Sequence, residues 1–139
     1  MINYDSLLPA YFDIYQYPDY KDVYEIRTIY TYRNRFKQIS VYLEYRDKLI
    51  VSDAGGLLDV ILDLDFNHEQ ASEFIKVNMT SGVCYDDGVL HIDIKDEKEL
   101  REAFSLLIQN IISINNRAYE VSNQPSYLDD IDDEEVYYD

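Results

Sequence analysis

Three carboxylates in this 139-residue chain occupy positions that invite chemistry. Glu25, Glu44 and Asp53 fall on or beside stretches with strand periodicity, so adjacent strands could bring them together. A metal-dependent nuclease needs that convergence: several carboxylates on one cation, usually with a lysine nearby. Here, however, Glu44 is followed by Tyr45-Arg46, not by the x-Lys of a restriction-type core. The plainer reading, solvent-facing strand carboxylates plus a turn aspartate, is preferred. Zinc is poorly served by one cysteine and two histidines, His68 and His91, on different elements. Cys84 reads as a small buried hydrophobe in a strand, and His91, alternating with Leu90 and Ile92, reads as solvent-facing. Gly55-Gly56 precedes an apolar run, but no P-loop lysine follows, and turn geometry accounts for the glycines. No catalytic residue is assigned, and neither metal nor cofactor is expected.

The elements that must position these residues follow from hydrophobic period. Leu8, Tyr11, Phe12 and Tyr15 share a helical face, which predicts a short helix over residues 3–17, broken by Pro18-Asp19. Residues 23–30 alternate as a strand, and the basic stretch 31–37 suits an exposed turn. Ile39, Val41, Leu43 and Tyr45 then alternate with polar neighbours, the period of a half-buried strand. Lys48 to Ser52 reads as its hairpin partner, closed by Asp53-Ala54-Gly55-Gly56. A short amphipathic helix follows from Leu57, with Asp59, Asp63 and Asp65 as solvated positions. A second helix, roughly 68–79, starts at Asn67 with Gln70 completing a capping box. Asp86-Asp87-Gly88 between two β-rich runs predicts a hairpin. The longest helix, 97 to about 117, buries Leu100, Phe104, Leu107, Ile108, Ile111 and Ile114, with Gln109 and Asn110 off the stripe. The expected class is α+β: a mostly antiparallel sheet of about five strands, covered by helices on one face. Residues 1–121 form one domain and 122–139 a disordered acidic tail.

Charge is the strongest feature of the composition. The chain carries 28 acidic and 12 basic side chains, a formal net charge of −16. From Ala118 onward there are eight acids and no base, so half of the net charge rides on the last 22 residues. Seven of the 12 bases lie between Lys21 and Lys48, which polarises the remainder. Such a chain is repelled by nucleic acid and by anionic membranes; its natural partners are basic proteins or cations. Fifteen tyrosines and no tryptophan add aromatic surface. A single cysteine allows no internal disulfide, residues 1–15 do not resemble a signal peptide, and no apolar run suits a membrane span. The expectation is a soluble cytoplasmic protein, in the host cytoplasm if phage-encoded.

The motif order from Tyr24 to Asn116 resembles the domain-of-unknown-function family eighteen twenty-eight, found in bacteria and their phages. The resemblance rests on the hairpin ISVYLEYRDKLIVSDAGGLLDVI (39–61), the hairpin GVCYDDGVLHIDI (82–94) and the helix segment LIQNIISINN (107–116). In such proteins a hydrophobic strand pair ends in a Thr/Ser-Asp-x-Gly turn, here Ser52-Asp53-Ala54-Gly55. The family has no established activity to carry over; it implies a phage, prophage or mobile-element setting. The N-terminal segment and the acidic tail fall outside it.

These observations converge on an interaction protein. Duplex DNA spaces its charges about 1.7 Å apart along its axis. Asp129, Asp130, Asp132, Asp133, Glu134 and Glu135, with Tyr127, Tyr137 and Tyr138 able to stack like bases, could occupy a basic nucleic-acid channel. The expected partner is therefore a basic, nucleic-acid-binding nuclease of a host defence system, of anti-CRISPR or anti-restriction type. Direct nucleic-acid or membrane binding is not expected. A carboxylate-metal nuclease on Glu25, Glu44 and Asp53 is the enzymatic alternative. A small scaffold or antitoxin-like partner is the other, and a solubilising tail the plainest reading of the acids.

Overall fold

The computed structural model describes residues 11–20, 22–45 and 47–123. The tail residues named above lie outside that range. The described chain runs β1 (Tyr11–Gln16), β2 (Val23–Thr31), β3 (Gln38–Tyr45), β4 (Leu49–Ser52), α1 (Gly56–Ile61), α2 (His68–Asn78), β5 (Cys84–Asp86), β6 (Val89–Ile94) and α3 (Leu100–Asn123). All six strands join one sheet in the order β1-β2-β3-β4-β6-β5. Every neighbouring pair is antiparallel.

The α+β class is as expected, with one strand more, because part of the stretch read as a first helix is β1. Its register against β2 sets Ile14 opposite Ile26 and Tyr15 opposite Glu25. β-branched and aromatic residues favour a pleated surface where a partner strand is available, and tertiary pairing overrides the helical spacing. The other end of that predicted helix, residues 3–10, lies outside the described range.

Alternation places Ile26, Ile39, Val41, Leu43, Val51 and Ile92 on one face of the sheet, all buried. Over that face pack Leu57, Ile61, Ile75, Phe104, Leu107 and Ile111 from the three helices, forming a single apolar core. The six residues predicted as the stripe of α3 are all buried, but the helix continues to Asn123. Asn110 and Asn115 are buried too, contrary to the polar-face reading of Asn110. Each is satisfied by pinning a turn. Asn110 accepts from the Thr80 N–H at 2.9 Å and donates to Thr80 Oγ1 and Leu106 O. Asn115 accepts from the Arg33 N–H and donates to Asn34. Buried amides hold their place only when so paired.

The predicted capping box of α2 is present, with Asn67 and Gln70 exchanging side-chain-to-backbone bonds of 2.8 and 2.9 Å. Asp87 and Gly88, at φ 51° and 81°, form the two-residue turn of the β5–β6 hairpin. Among the described residues no helix is long and apolar enough to cross a membrane.

Candidate partner-binding surface

The face of the sheet opposite the helices carries the side chains that could meet another molecule. Glu25 sits near its centre on β2 and is gathered into a local network. It accepts from Tyr17 Oη at 2.7 Å and from Ser40 Oγ at 2.7 Å, with Arg27 Nε 3.5 Å away. Burial alone would raise its pKa; the hydrogen bonds from Tyr17 and Ser40 and the charge of Arg27 prevail and hold it below the usual carboxylate range. Tyr17 is pushed upward in turn, chiefly by that bond to Glu25. Glu44, on the same face of β3, lies opposite Val23 and Ile50, two positions along the strand from Tyr42, the residue opposite Glu25.

Asp53 belongs to a different environment. It is 2% exposed, and its carboxylate is enclosed by main-chain donors: Gly55 N–H at 2.8 Å and Leu90 N–H at 3.0 Å on Oδ1, and Leu57 N–H at 3.0 Å on Oδ2. Burial, the larger influence, raises its pKa against the opposing pull of these N–H groups. The turn is shaped for this task. Gly55 adopts φ 85°, a left-handed conformation that glycine takes without strain. At Gly56 an added Cβ would lie 2.5 Å from Tyr32 Oη, so a side chain has no room there. A cleft of about 210 Å³ opens beside the turn, lined by Tyr32, Lys37, Ser40 and Tyr42, but Asp53 forms part of its wall and is not a free base. Glu25, Glu44 and Asp53 therefore do not converge. No group of three His, Cys, Asp or Glu among the described residues is placed to hold a metal ion.

A second cluster surrounds His91. The hairpin register sets Cys84 opposite His91 and Asp86 opposite Val89, all on the uncovered face. His91 Nε2 lies 2.7 Å from Asp86 Oδ2, and Nδ1 lies 2.9 Å from Asp93 Oδ1. Lys48 Nζ reaches Asp93 from the other side at 2.8 Å. Desolvation disfavours the charged imidazole, yet the two carboxylate partners outweigh it and raise the His91 pKa. Lys48 and His91 hold Asp93 below its ordinary value, against a smaller desolvation effect. His91 is thus half-buried and clamped, not freely solvated as expected. Cys84 is exposed, correcting the buried reading, because its alternation places it on the uncovered face of an edge strand. The signal for the cluster was the His-x-Asp spacing of residues 91 and 93, which puts both side chains on one face of a strand.

The basic stretch 31–37 forms the expected turn between β2 and β3, with Arg33, Phe36 and Lys37 exposed, but several of its side chains are engaged. Tyr32 is buried, with its pKa raised by desolvation and by nearby Asp53. Arg35 binds Asp63 through Nε at 2.8 Å and Asp59 through Nη1 at 2.9 Å, which corrects the reading of those aspartates as merely solvated. Arg33 stacks over the Tyr119 ring, 4.5 Å from its centroid. Arg27 and Lys48 meet Glu25, Asp13 and Asp93. Arg33 and Arg35 of the basic stretch are thus turned onto the protein's own aromatics and acids.

Comparison with family models, with curated proteins and with solved structures found no match.

Proposed function

We propose that this protein is a non-enzymatic interaction protein that inhibits a basic, nucleic-acid-binding host defence enzyme. Its acidic, tyrosine-bearing surface would stand in for nucleic acid. The observation that carries the reading is the charge asymmetry: a net −16, half of it on the last 22 residues. The fold adds support, because Arg27, Arg35 and Lys48 are engaged by the chain's own carboxylates, which lowers their pull on a phosphate backbone. The resemblance over residues 24–116 to a family of phage and bacterial proteins favours a mobile-element setting; that setting is analogy with the family.

The reading predicts salt-sensitive binding to a basic nuclease of CRISPR or restriction type, in competition with its DNA or RNA. Truncation after residue 123 removes seven acids and no base. It should weaken inhibition at least tenfold at physiological salt and flatten its salt dependence. Unchanged inhibition by the truncated chain, with surface acids also neutralised, would exclude charge mimicry. The nuclease alternative is tested by incubation with DNA and RNA in Mg²⁺ or Mn²⁺, where no cleavage is expected. The placement of Asp53 on three main-chain donors speaks against it.

A further inference from the structure

β6 is paired at its far end on one side only, and near the hairpin turn on the other. Against β4 it is matched from His91 to Ile94; against β5 only Val89, Leu90 and His91 have partners. The reason lies in the preceding turn. Asn110 on α3 grips both the N–H and the hydroxyl of Thr80. Gly82, at φ 96°, then packs so close to α3 that an added Cβ would lie 3.2 Å from Leu106 Cδ2. The chain is held on the helix there and joins the sheet only from Cys84.

The direction of the open edge follows from strand geometry. Leu90 N–H bonds Asp53 Oδ1, and Leu90 O accepts from Asp53 N, so residue 90 points its main chain toward β4. Main-chain groups alternate sides along an antiparallel strand, so those of Asp93 point the other way, past the end of β5. Beside this edge runs a groove of about 390 Å³. It is lined by Ile92 and Ile94 of β6, by Glu102, Ala103 and Leu106 of α3, and by Glu99 just before that helix. Neither glutamate makes an ion pair among the described residues, and Lys95, Lys98 and Arg101 lie outside the lining.

We propose that this groove is a strand-addition site for an extended peptide of alternating apolar and basic residues, contributed by a partner protein. The peptide's main chain would pair with Asp93. Its apolar side chains would enter between β6 and α3, and its basic ones would meet Glu99 and Glu102. Strand addition draws affinity from main-chain hydrogen bonds and specificity from alternate side chains. Charge selects the occupant. The chain's own acidic tail would be repelled, and a second copy would bring a second pair of glutamates to the same edge. β1, which follows residues 1–10 in the sequence, is the opposite edge of the sheet. The site lies on β6 and α3, so it stands or falls separately from the role of the tail.

The test uses the full chain and two ten-residue peptides alternating lysine and valine, one N-methylated at central positions so that charge is kept and strand pairing is lost. In NMR titrations the unmodified peptide should shift the amides of residues 92–95 and 99–109. The methylated peptide should bind at least tenfold more weakly. Glu99→Lys with Glu102→Lys should cost the unmodified peptide at least tenfold, and Asp93→Pro should abolish its binding. Because Asp93→Pro also touches the His91 cluster, the double glutamate variant serves as the decisive arm. Equal binding of both peptides, shifts elsewhere, indifference to the glutamate reversal, or a solution dimer dissolved by Asp93→Pro would each overturn the proposal.

Discussion

Leu90 and His91 are consecutive on β6, yet they stand at the border of two carboxylate systems built in opposite ways. Leu90 gives its N–H to Asp53, a buried group whose partners are all main chain. His91 turns to the other face and lies between Asp86 and Asp93, whose partners are charged side chains in contact with solvent. The first arrangement fixes the path of the chain from β4 into α1 and ties it to β6. The second carries charge that can titrate. A Ser-Asp-x-Gly turn where a strand feeds a helix looks catalytic in one dimension. In three dimensions its carboxylate is a staple, while the ionic grouping sits one residue along the neighbouring strand.

The strongest way to break this contrast is to remove the staple. Asp53→Ala would leave buried N–H groups of Leu57 and Leu90 without an acceptor, at about 1–3 kcal/mol each. We expect a loss of about 3 kcal/mol or more in urea unfolding, against less than about 1 kcal/mol for Asp86→Ala at the exposed cluster. Similar costs for the two would mean that Asp53 is not the anchor of the turn.

A smaller effect sharpens the account of the same turn. Gly56→Ala forces a methyl group against Tyr32 Oη, at a cost of about 1–3 kcal/mol for overpacking a buried contact. In the Tyr32→Phe background the nearest remaining ring atom, Cζ, is 3.6 Å away, an ordinary contact. The double variant should therefore recover most of the loss, and a double-mutant cycle should give a coupling above about 0.5 kcal/mol. Purely additive effects would place the penalty in the backbone instead.

These two regions were not equally legible in the sequence. The hairpins, the capping box at Asn67 and the stripe of α3 were readable, because each rests on local period or turn chemistry. β1 was not: Tyr11, Tyr15 and their neighbours have spacing compatible with a helix, and only the pairing with β2, distant information, decides between them. Asn110 falls off the apolar stripe of the helical period, and Asn115 carries no local signal of burial. Their burial depends on which turns happen to cross α3, at Thr80 and Arg33, some 30 and 82 residues away along the chain. The same limit applies to the sites. Glu25, Glu44 and Asp53 share strand neighbourhoods, but their convergence depends on which face and which partner each finds. The Arg35 clamp on Asp59 and Asp63 was likewise hidden by sequence distance.

The smallest predicted effect concerns the ionic cluster, and its sign is fixed by its partners. The folded pKa of His91 is raised above its ordinary 6.5, so its contribution is complete below about that pH and is lost as pH rises through the folded value. Asp93 is held below its ordinary 3.8, so its share is present above that pH and is lost as pH falls through the folded value. The cluster therefore stabilises most between these two limits. His91→Gln keeps a hydrogen-bonding side chain but cannot become charged. Unfolding free energy of the unmodified chain should exceed that of the variant by about 0.5 kcal/mol at mildly acidic pH, with the difference fading under mildly alkaline conditions. Added salt should reduce the difference, since the groups face solvent. A difference that persisted unchanged across that range would show that His91 stabilises by packing or neutral hydrogen bonds. The contrast with Asp53 would then be one of burial alone.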